Sequence, residues 1–174
     1  MISLTDIPVL QTERLTLRGP KDSDAGPLGA FLESPRARNI GGPWPASDAP
    51  DWLAFTTRRW AERGRGLWFV ALKDDDTPIG RIGLLDHAEW HEPELAWFLF
   101  EGYDGHSYAY EAALAARNYA TQTLKLLPLF SFIEASNARS KALAQRLGAK
   151  PERDVIFRET ALTVYRHPSP EALQ

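Results

Sequence analysis

Phe98-Leu99-Phe100-Glu101-Gly102-Tyr103-Asp104-Gly105-His106-Ser107-Tyr108-Ala109-Tyr110-Glu111-Ala112 changes geometry twice within one short stretch. The apolar run ending at Phe100 reads as a strand. Gly102 and Gly105 break it into a loop, and a long helix is expected from about Ser107 to Thr123. Small residues in such a loop let the backbone approach a ligand closely. The free N–H groups of the first helical turn, at the positive end of the macrodipole, suit a phosphate or pyrophosphate. Ala109, Ala112, Ala113, Ala116 and Ala120 allow this helix to lie close against a sheet. Taken alone, the turn is equally compatible with a glycine loop that binds nothing. Neither a Gly-Lys-Ser/Thr phosphate loop nor a G-x-G-x-x-G dinucleotide fingerprint occurs anywhere in the chain.

Upstream, Arg14 to Arg18 alternates polar and apolar residues as a half-buried strand does, and Gly19-Pro20 ends it. Asp22 or Ser23 can cap a helix that carries Leu28, Phe31 and Leu32 on one side. Residues 38–45 are too densely punctuated by Gly and Pro for regular structure, and a second helix is expected from Ala49 to Arg63, closed by Gly64. Leu67 to Leu72 and Pro78 to Leu85 read as a hairpin. A polar segment, Asp86 to Pro93, leads into the strand Glu94 to Phe100. Downstream come a short strand, Leu129 to Ile133, a helix opened by Asn137 and ended by Gly148, and a closing strand pair within Arg153 to Arg166. Without repeat or linker, residues 1–174 are expected to form a single domain. Its mixed element order predicts an α/β (α+β mixed) fold with a central mixed sheet flanked by helices.

Composition removes several classes of function. Twenty basic against 23 acidic residues give a net charge of −3, with no basic stripe, so nucleic acid is not an expected partner. The absence of cysteine excludes disulfides, thiolate metal sites and a cysteine nucleophile. Met1 to Asp6 lacks the basic start and apolar run of a signal peptide, and no apolar stretch approaches bilayer length. A cytoplasmic protein without a membrane partner is the expectation. His87 and His91 lie four apart among Asp86, Glu89 and Glu92, but Pro93 follows at once, so a role in the substrate channel is expected of this segment and no metal site.

Several pieces, in order, resemble the GNAT superfamily, in particular the branch of the ribosomal-protein alanine acetyltransferases. They are Thr12 to Arg18, Ile40-Gly41-Gly42-Pro43, Gly66 to Val70, Ile79 to Leu84 and Glu92 to Trp97. Gly105-His106-Ser107-Tyr108-Ala109-Tyr110-Glu111-Ala112 is similar to the family's acetyl-CoA loop, G-x-G-Y-A-T-E-A. Ser136 to Ser140 followed by Arg146 to Ala149 is similar to its N-x-x-S…LG[FA] element. Two departures stand out: Ser107 replaces the second loop glycine, where a positive φ would strain it, and Tyr110 replaces the family's Thr.

The resemblance implies a mostly antiparallel, twisted GNAT-like sheet flanked by helices, and an N-acetyltransferase that passes the acetyl group of acetyl-CoA directly to a primary amine. That amine is either a protein N-terminus or a small molecule. A non-catalytic acyl-CoA-binding or sensing module of the same fold is the alternative, and another acyl donor would need a cation such as Arg81 or Arg38 near the acyl end. By the same resemblance Gly105, His106, Ser107, Tyr108, Ala109 and Tyr110 hold the cofactor phosphates. Pantetheine pairs beside the strand at Phe98, Leu99 and Phe100, where a backbone N–H meets the thioester oxygen, and Asn137 contacts it. Glu94 is the expected general base, with a solvated strand-end carboxylate as the other reading. Ser140 either donates to the departing thiolate or caps its helix. Trp44 and Arg38 are the candidate acceptor-binding residues, with Trp52 and Trp60 as further aromatics of that region. A homodimer is common in the family.

Overall fold

A computed structural model describes residues 6–126, 128–169 and 171; the signal-peptide reading concerns residues that, apart from Asp6, lie outside this range. The strands are β1 (Leu10–Gln11), β2 (Leu15–Arg18), β3 (Leu67–Leu72), β4 (Pro78–His87), β5 (Trp90–Leu99), β6 (Phe130–Ile133), β7 (Lys150–Phe157) and β8 (Thr160–Arg166). The helices are α1 (Ala25–Glu33), α2 (Ala49–Arg63), α3 (Tyr108–Gln122) and α4 (Ala138–Arg146). The eight strands form one sheet in the order β1-β2-β3-β4-β5-β6-β8-β7. Every neighbouring pair is antiparallel except β5 with β6.

That exception shapes the molecule. β4 and β5 pair along most of their length, whereas β5 meets β6 at a single rung, Glu94 opposite Phe130. Beyond that rung the two strands diverge, and the sheet opens like a fork.

Alternation along β3 sends Trp68 and Val70 to one face and Phe69 to the other. On the first face they pack with Leu15, Leu17, Ile82 and Leu95 under α3, whose Ala112, Ala113, Ala116 and Ala120 are fully buried. Methyl-sized side chains bring this helix close to the sheet; a larger residue there would cost roughly 1–3 kcal/mol in overpacking. On the second face Phe69 and Phe100 pack with Leu28, Phe31 and Leu32 of α1. Gly64 takes the left-handed conformation, φ 65°, and ends α2.

Two local expectations change. No side chain caps α1: it follows a 3-10 turn at Asp22–Asp24, and Asp24 instead accepts two hydrogen bonds from Arg18, at 2.9 and 3.0 Å, in a buried ion pair. The polar segment Asp86 to Pro93 is not a loop. β4 runs on to His87 and β5 begins at Trp90, so a tight hairpin turn at residues 88–89 joins them. His87 pairs with Trp90 across that hairpin, and His91 is exposed. The two histidines therefore share no site, and among the described residues no cluster of three His, Cys, Asp or Glu side chains could hold a metal.

Candidate active site

The fork between β5 and β6 widens into a cleft of about 890 Å³. It is bounded by the loop before α3, the start of α4, residues 38–41, and the tips of the β4–β5 and β7–β8 hairpins.

At one end lies the start of α3. Gly102, Gly105 and Ser107 have φ of 93°, 82° and 62°, so the loop turns through three left-handed residues. Ser107 thus occupies a conformation that favours glycine. Arg146 of α4 compensates: it donates to the Ser107 hydroxyl at 2.7 Å, and its guanidinium lies 4.1 Å from the centre of the Tyr110 ring. Both departures from the family's loop therefore contact one arginine, the residue that opens the Arg146 to Ala149 element. No side chain caps α3, and its first internal bond runs from the Glu111 N–H to the Ser107 carbonyl at 3.1 Å. The N–H groups of residues 108–110 accordingly lack an intrahelical partner, the arrangement that receives an anion. His106 is exposed and stacks on Tyr108 at 5.3 Å.

The loop is tied to both sides of the cleft. Arg36, from the 3-10 segment Pro35–Ile40, makes a two-pronged pair with Asp104 at 2.8 and 3.0 Å and donates to the Leu99 carbonyl at 3.2 Å. Arg139 of α4 reaches the same carboxylate at 3.3 Å. The hydrogen bonds from Arg36, ahead of the opposing cost of burial, hold the Asp104 carboxyl below its usual range.

The open edge of β5 forms one wall. The Phe100 N–H is spent on the Ile79 carbonyl at 2.8 Å, and Phe98, paired with Arg81, has the same orientation towards β4. The carbonyls of Leu95 and Leu99 point the other way, to Ser131 and Arg36. Trp97 and Leu99 share that outward orientation, so their N–H groups face the fork. Of the three strand residues named from sequence, only Leu99 offers its backbone there. The Phe98 side chain stacks on Phe31 at 4.5 Å, and Phe100 is buried in the second core cluster.

α4 supplies the opposite wall. The Asn137 side chain accepts from the Ser140 N–H at 3.1 Å and so caps the helix. This corrects the capping alternative for Ser140, whose hydroxyl instead accepts from the Trp97 indole N–H across the fork at 3.1 Å. The hydroxyl keeps its own hydrogen to donate.

Glu94 sits where the strands part and is only 8% exposed. Its Oε1 accepts from the Phe132 N–H at 3.1 Å, and its Oε2 lies 2.6 Å from His87 Nε2. The solvated-carboxylate reading is therefore corrected: burial and two bonds fix this side chain. Behind it, a buried chain bolts the fork shut. Arg117 donates to His167 Nδ1 at 3.4 Å, His167 bonds Ser131 through Nε2 at 2.9 Å, and Ser131 donates to the Leu95 carbonyl. Burial first, then the nearby Arg117 and Arg166 charges, pushes the His167 imidazole down to about 3.

The acceptor side departs from expectation. Arg38 lies exposed on the cleft wall with Asn39 and Ile40. Trp44 does not line the cleft: its ring packs edge-on against Trp52 at 5.1 Å and folds back over Gly42, while the residue's backbone N–H donates to the Leu32 carbonyl. Trp60 is core, 4.8 Å from Trp68. Arg81 is fully buried, bonded to the Thr56 hydroxyl and set over Phe69, and burial lowers it to about 10. It is no cation for an acidic acyl group.

In this cleft a strand edge opens onto a helix N-terminus, with a hydroxyl on one wall and a carboxylate at the base. The match to the family model for the acetyltransferase (GNAT) domain spans residues 14–150, and the chain belongs to that family. Among solved structures, an acetyltransferase from Agrobacterium tumefaciens str. C58 is similar at 35% identity and TM-score 0.84, over 94% of this chain and 95% of that one. The ribosomal-protein-S5-alanine acetyltransferase from Vibrio fischeri shares the fold at 15% identity and TM-score 0.71, over 91% and 95%. So does the microcin C7 self-immunity acetyltransferase, solved with acetyl-CoA and AMP, at 15% identity and TM-score 0.74, over 89% and 92%. GNAT acetyltransferases use acetyl-CoA as donor. No helix among the described residues is long and apolar enough to cross a membrane.

Proposed function

We propose that this protein transfers the acetyl group of acetyl-CoA to a primary amine by direct attack within a ternary complex. The observation that carries this reading is the fork. It turns the Trp97 and Leu99 N–H groups away from β4 into the cleft, with the Ser140 hydroxyl opposite and the Glu94 carboxylate at its base.

The pyrophosphate would sit on the N–H groups of residues 108–110, in the cradle of Gly105, His106, Ser107, Tyr108, Ala109 and Tyr110. The pantetheine arm would run beside β5 along the fork, within reach of Asn137. The thioester oxygen would then meet a Leu99 or Trp97 N–H, a donor positioned in advance where negative charge develops. As the C–N bond forms and the C–S bond breaks, Ser140 would donate to the leaving thiolate. The negative charge of Glu94 would favour loss of the proton that a protonated amine must shed before it can attack. The acceptor, entering past Arg38, is a protein N-terminus or a small amine.

The test measures CoA release from acetyl-CoA over a panel of primary alkylamines, arylamines and N-terminal peptides, beside thermal stabilisation by acetyl-CoA. Turnover with at least one amine is expected. Stabilisation by acetyl-CoA without CoA release would favour the sensing module instead, and stabilisation no greater than that from ATP would sink both readings.

A further inference from the structure

We propose that the proton acceptor in this cleft is the imidazole of His87, acting through Nδ1, and that Glu94 holds and orients that ring without itself taking the proton. The proposal rests on the amine-acetylation reading above.

Both carboxylate oxygens of Glu94 are engaged. Oε1 receives the Phe132 N–H, filling the next position along the β6 edge, and Oε2 is 2.6 Å from His87 Nε2. These two bonds fix the carboxylate between the β6 edge and the ring, and Glu94 is only 8% exposed, so the imidazole is the group it presents to the cleft. With the Glu94 carboxylate as acceptor, Nε2 is the donor in this contact, and the tautomer the proposal requires carries its lone pair on Nδ1. Among the described residues that Nδ1 has no hydrogen-bond partner. The ring lines the cleft, only 15% of its side chain is exposed, and Phe157 and Phe132 hold it at 5.1 and 5.8 Å between centroids. A carboxylate that fixes the tautomer and position of an imidazole, while the other ring nitrogen handles the proton, is the division of labour in hydrolase triads.

The charges around His87 are Glu94 from β5, Glu89 in the hairpin turn, and Arg158 from the β7–β8 turn, which is paired to Glu89 at 2.8 Å. Asp86 is turned to Arg65, β6 and β7 set Phe132 and Phe157 against the ring, and Arg153 of β7 lies over Trp90, the cross-strand neighbour of His87. The ring therefore has one carboxylate bonded to it, while the next is offset by an arginine. In the step itself an ammonium gives one proton to His87 Nδ1, and the neutral amine attacks the thioester carbon. The C–S bond then breaks, and the second proton shed by the nascent amide nitrogen reaches the thiolate by way of Ser140. His87 returns its proton to solvent.

Two measurements test this. The first is a long-range proton–nitrogen NMR spectrum of histidine-labelled wild-type protein, with the His87 signals identified by their loss in His87→Gln. The Nε2–H tautomer is expected at neutral pH, and an Nδ1–H tautomer overturns the proposal. The second compares His87→Gln, which keeps a donor for Glu94, with Glu94→Gln, using whichever alkylamine supports the fastest turnover. His87→Gln should lower kcat by about a hundredfold or more, the usual range for a lost general base, and erase the ascending limb of the pH profile. Acetyl-CoA affinity should hold within about twofold, and an arylamine, already neutral at the assay pH, should lose far less. Glu94→Gln should slow turnover while retaining a limb. The reverse pattern, with the limb lost in Glu94→Gln and intact in His87→Gln, returns the role to Glu94. If wild-type protein turns over no amine at all, the amine-acetylation reading falls and takes this one with it.

Discussion

Replacing Ser140 by Ala separates two contributions that a serine near a helix start normally confounds. The cap of α4 belongs to Asn137, which holds the residue-140 N–H whatever the side chain, so the helix keeps its first turn in the mutant. What disappears is the hydroxyl that accepts from Trp97 at 3.1 Å and is free to donate to a thiolate. The thiolate exists only late in the reaction, so the loss should fall on kcat and leave acetyl-CoA binding almost untouched. A hydrogen bond to a charged group is worth about 1.5–3 kcal/mol, which converts to roughly ten- to a hundredfold in kcat. The indole N–H left behind borders an open cleft where water can replace the serine. The stability change should stay near 1 kcal/mol, or about 2–4 °C in Tm for a chain of this size. The assay pairs steady-state CoA release with calorimetric titration of acetyl-CoA and a melting curve on the same preparation. A kcat within twofold of wild type would refute the leaving-group role, and a weakened Kd with unchanged kcat would reduce Ser140 to a binding contact.

Gly105→Val should leave a folded protein with acetyl-CoA affinity reduced at least about tenfold. No atom lies within 4 Å of an added Cβ, so the damage comes from forcing a β-branched residue to φ 82°. Unchanged affinity in a titration would mean that the loop holds no cofactor. His167 makes stability acid-sensitive. Its folded value of about 3 lies below the unfolded value near 6.5, so the unfolded chain binds the proton first. The stabilising contribution is complete above about pH 6.5 and is lost as pH falls from there towards 3, by about 2 kcal/mol at pH 5. Urea midpoints at pH 7.5 and 5.0 should therefore converge in His167→Asn, and an equally steep loss in that variant would refute the assignment.

The helices and central strands were legible wherever hydrophobic period and punctuation agreed. α2 closes at Gly64 and α3 packs through its alanines because those residues leave little alternative. The β4–β5 hairpin was hidden for a physical reason. Past the core, its inward-facing positions carry His87 and Glu94 for the cleft, so polarity there marks a site where a strand rule reads a loop. The Asn137 and Ser140 roles were open because both residue types cap helices, and only the side-chain geometry divides the work. Phe100 and Leu99 differ by one residue in sequence but face opposite edges of β5, a distinction that depends on register. Trp44 looked free in its Gly/Pro loop, yet Trp52, one turn into α2, reclaims it. The sequence offered His87 no metal beside His91, only a place along a substrate channel; its hydrogen-bond partner, Glu94, lies across the hairpin.

The single rung between β5 and β6 also makes the sheet a structure of two panels. β1 to β5 form one antiparallel panel and β6, β8 and β7 the other, joined along a seam of Glu94, Phe130 and the Ser131–Leu95 bond. A strand-like ligand laid into the fork acts as a splint across that seam and converts two panels into a continuous plate. The amides of Trp97 and Leu99, lying on the open edge, then serve as gauges of the splint, exchanging readily with solvent when it is out and slowly when it is in. With acetyl-CoA in the fork as proposed, stiffness would be a property acquired with the donor and surrendered with the spent CoA.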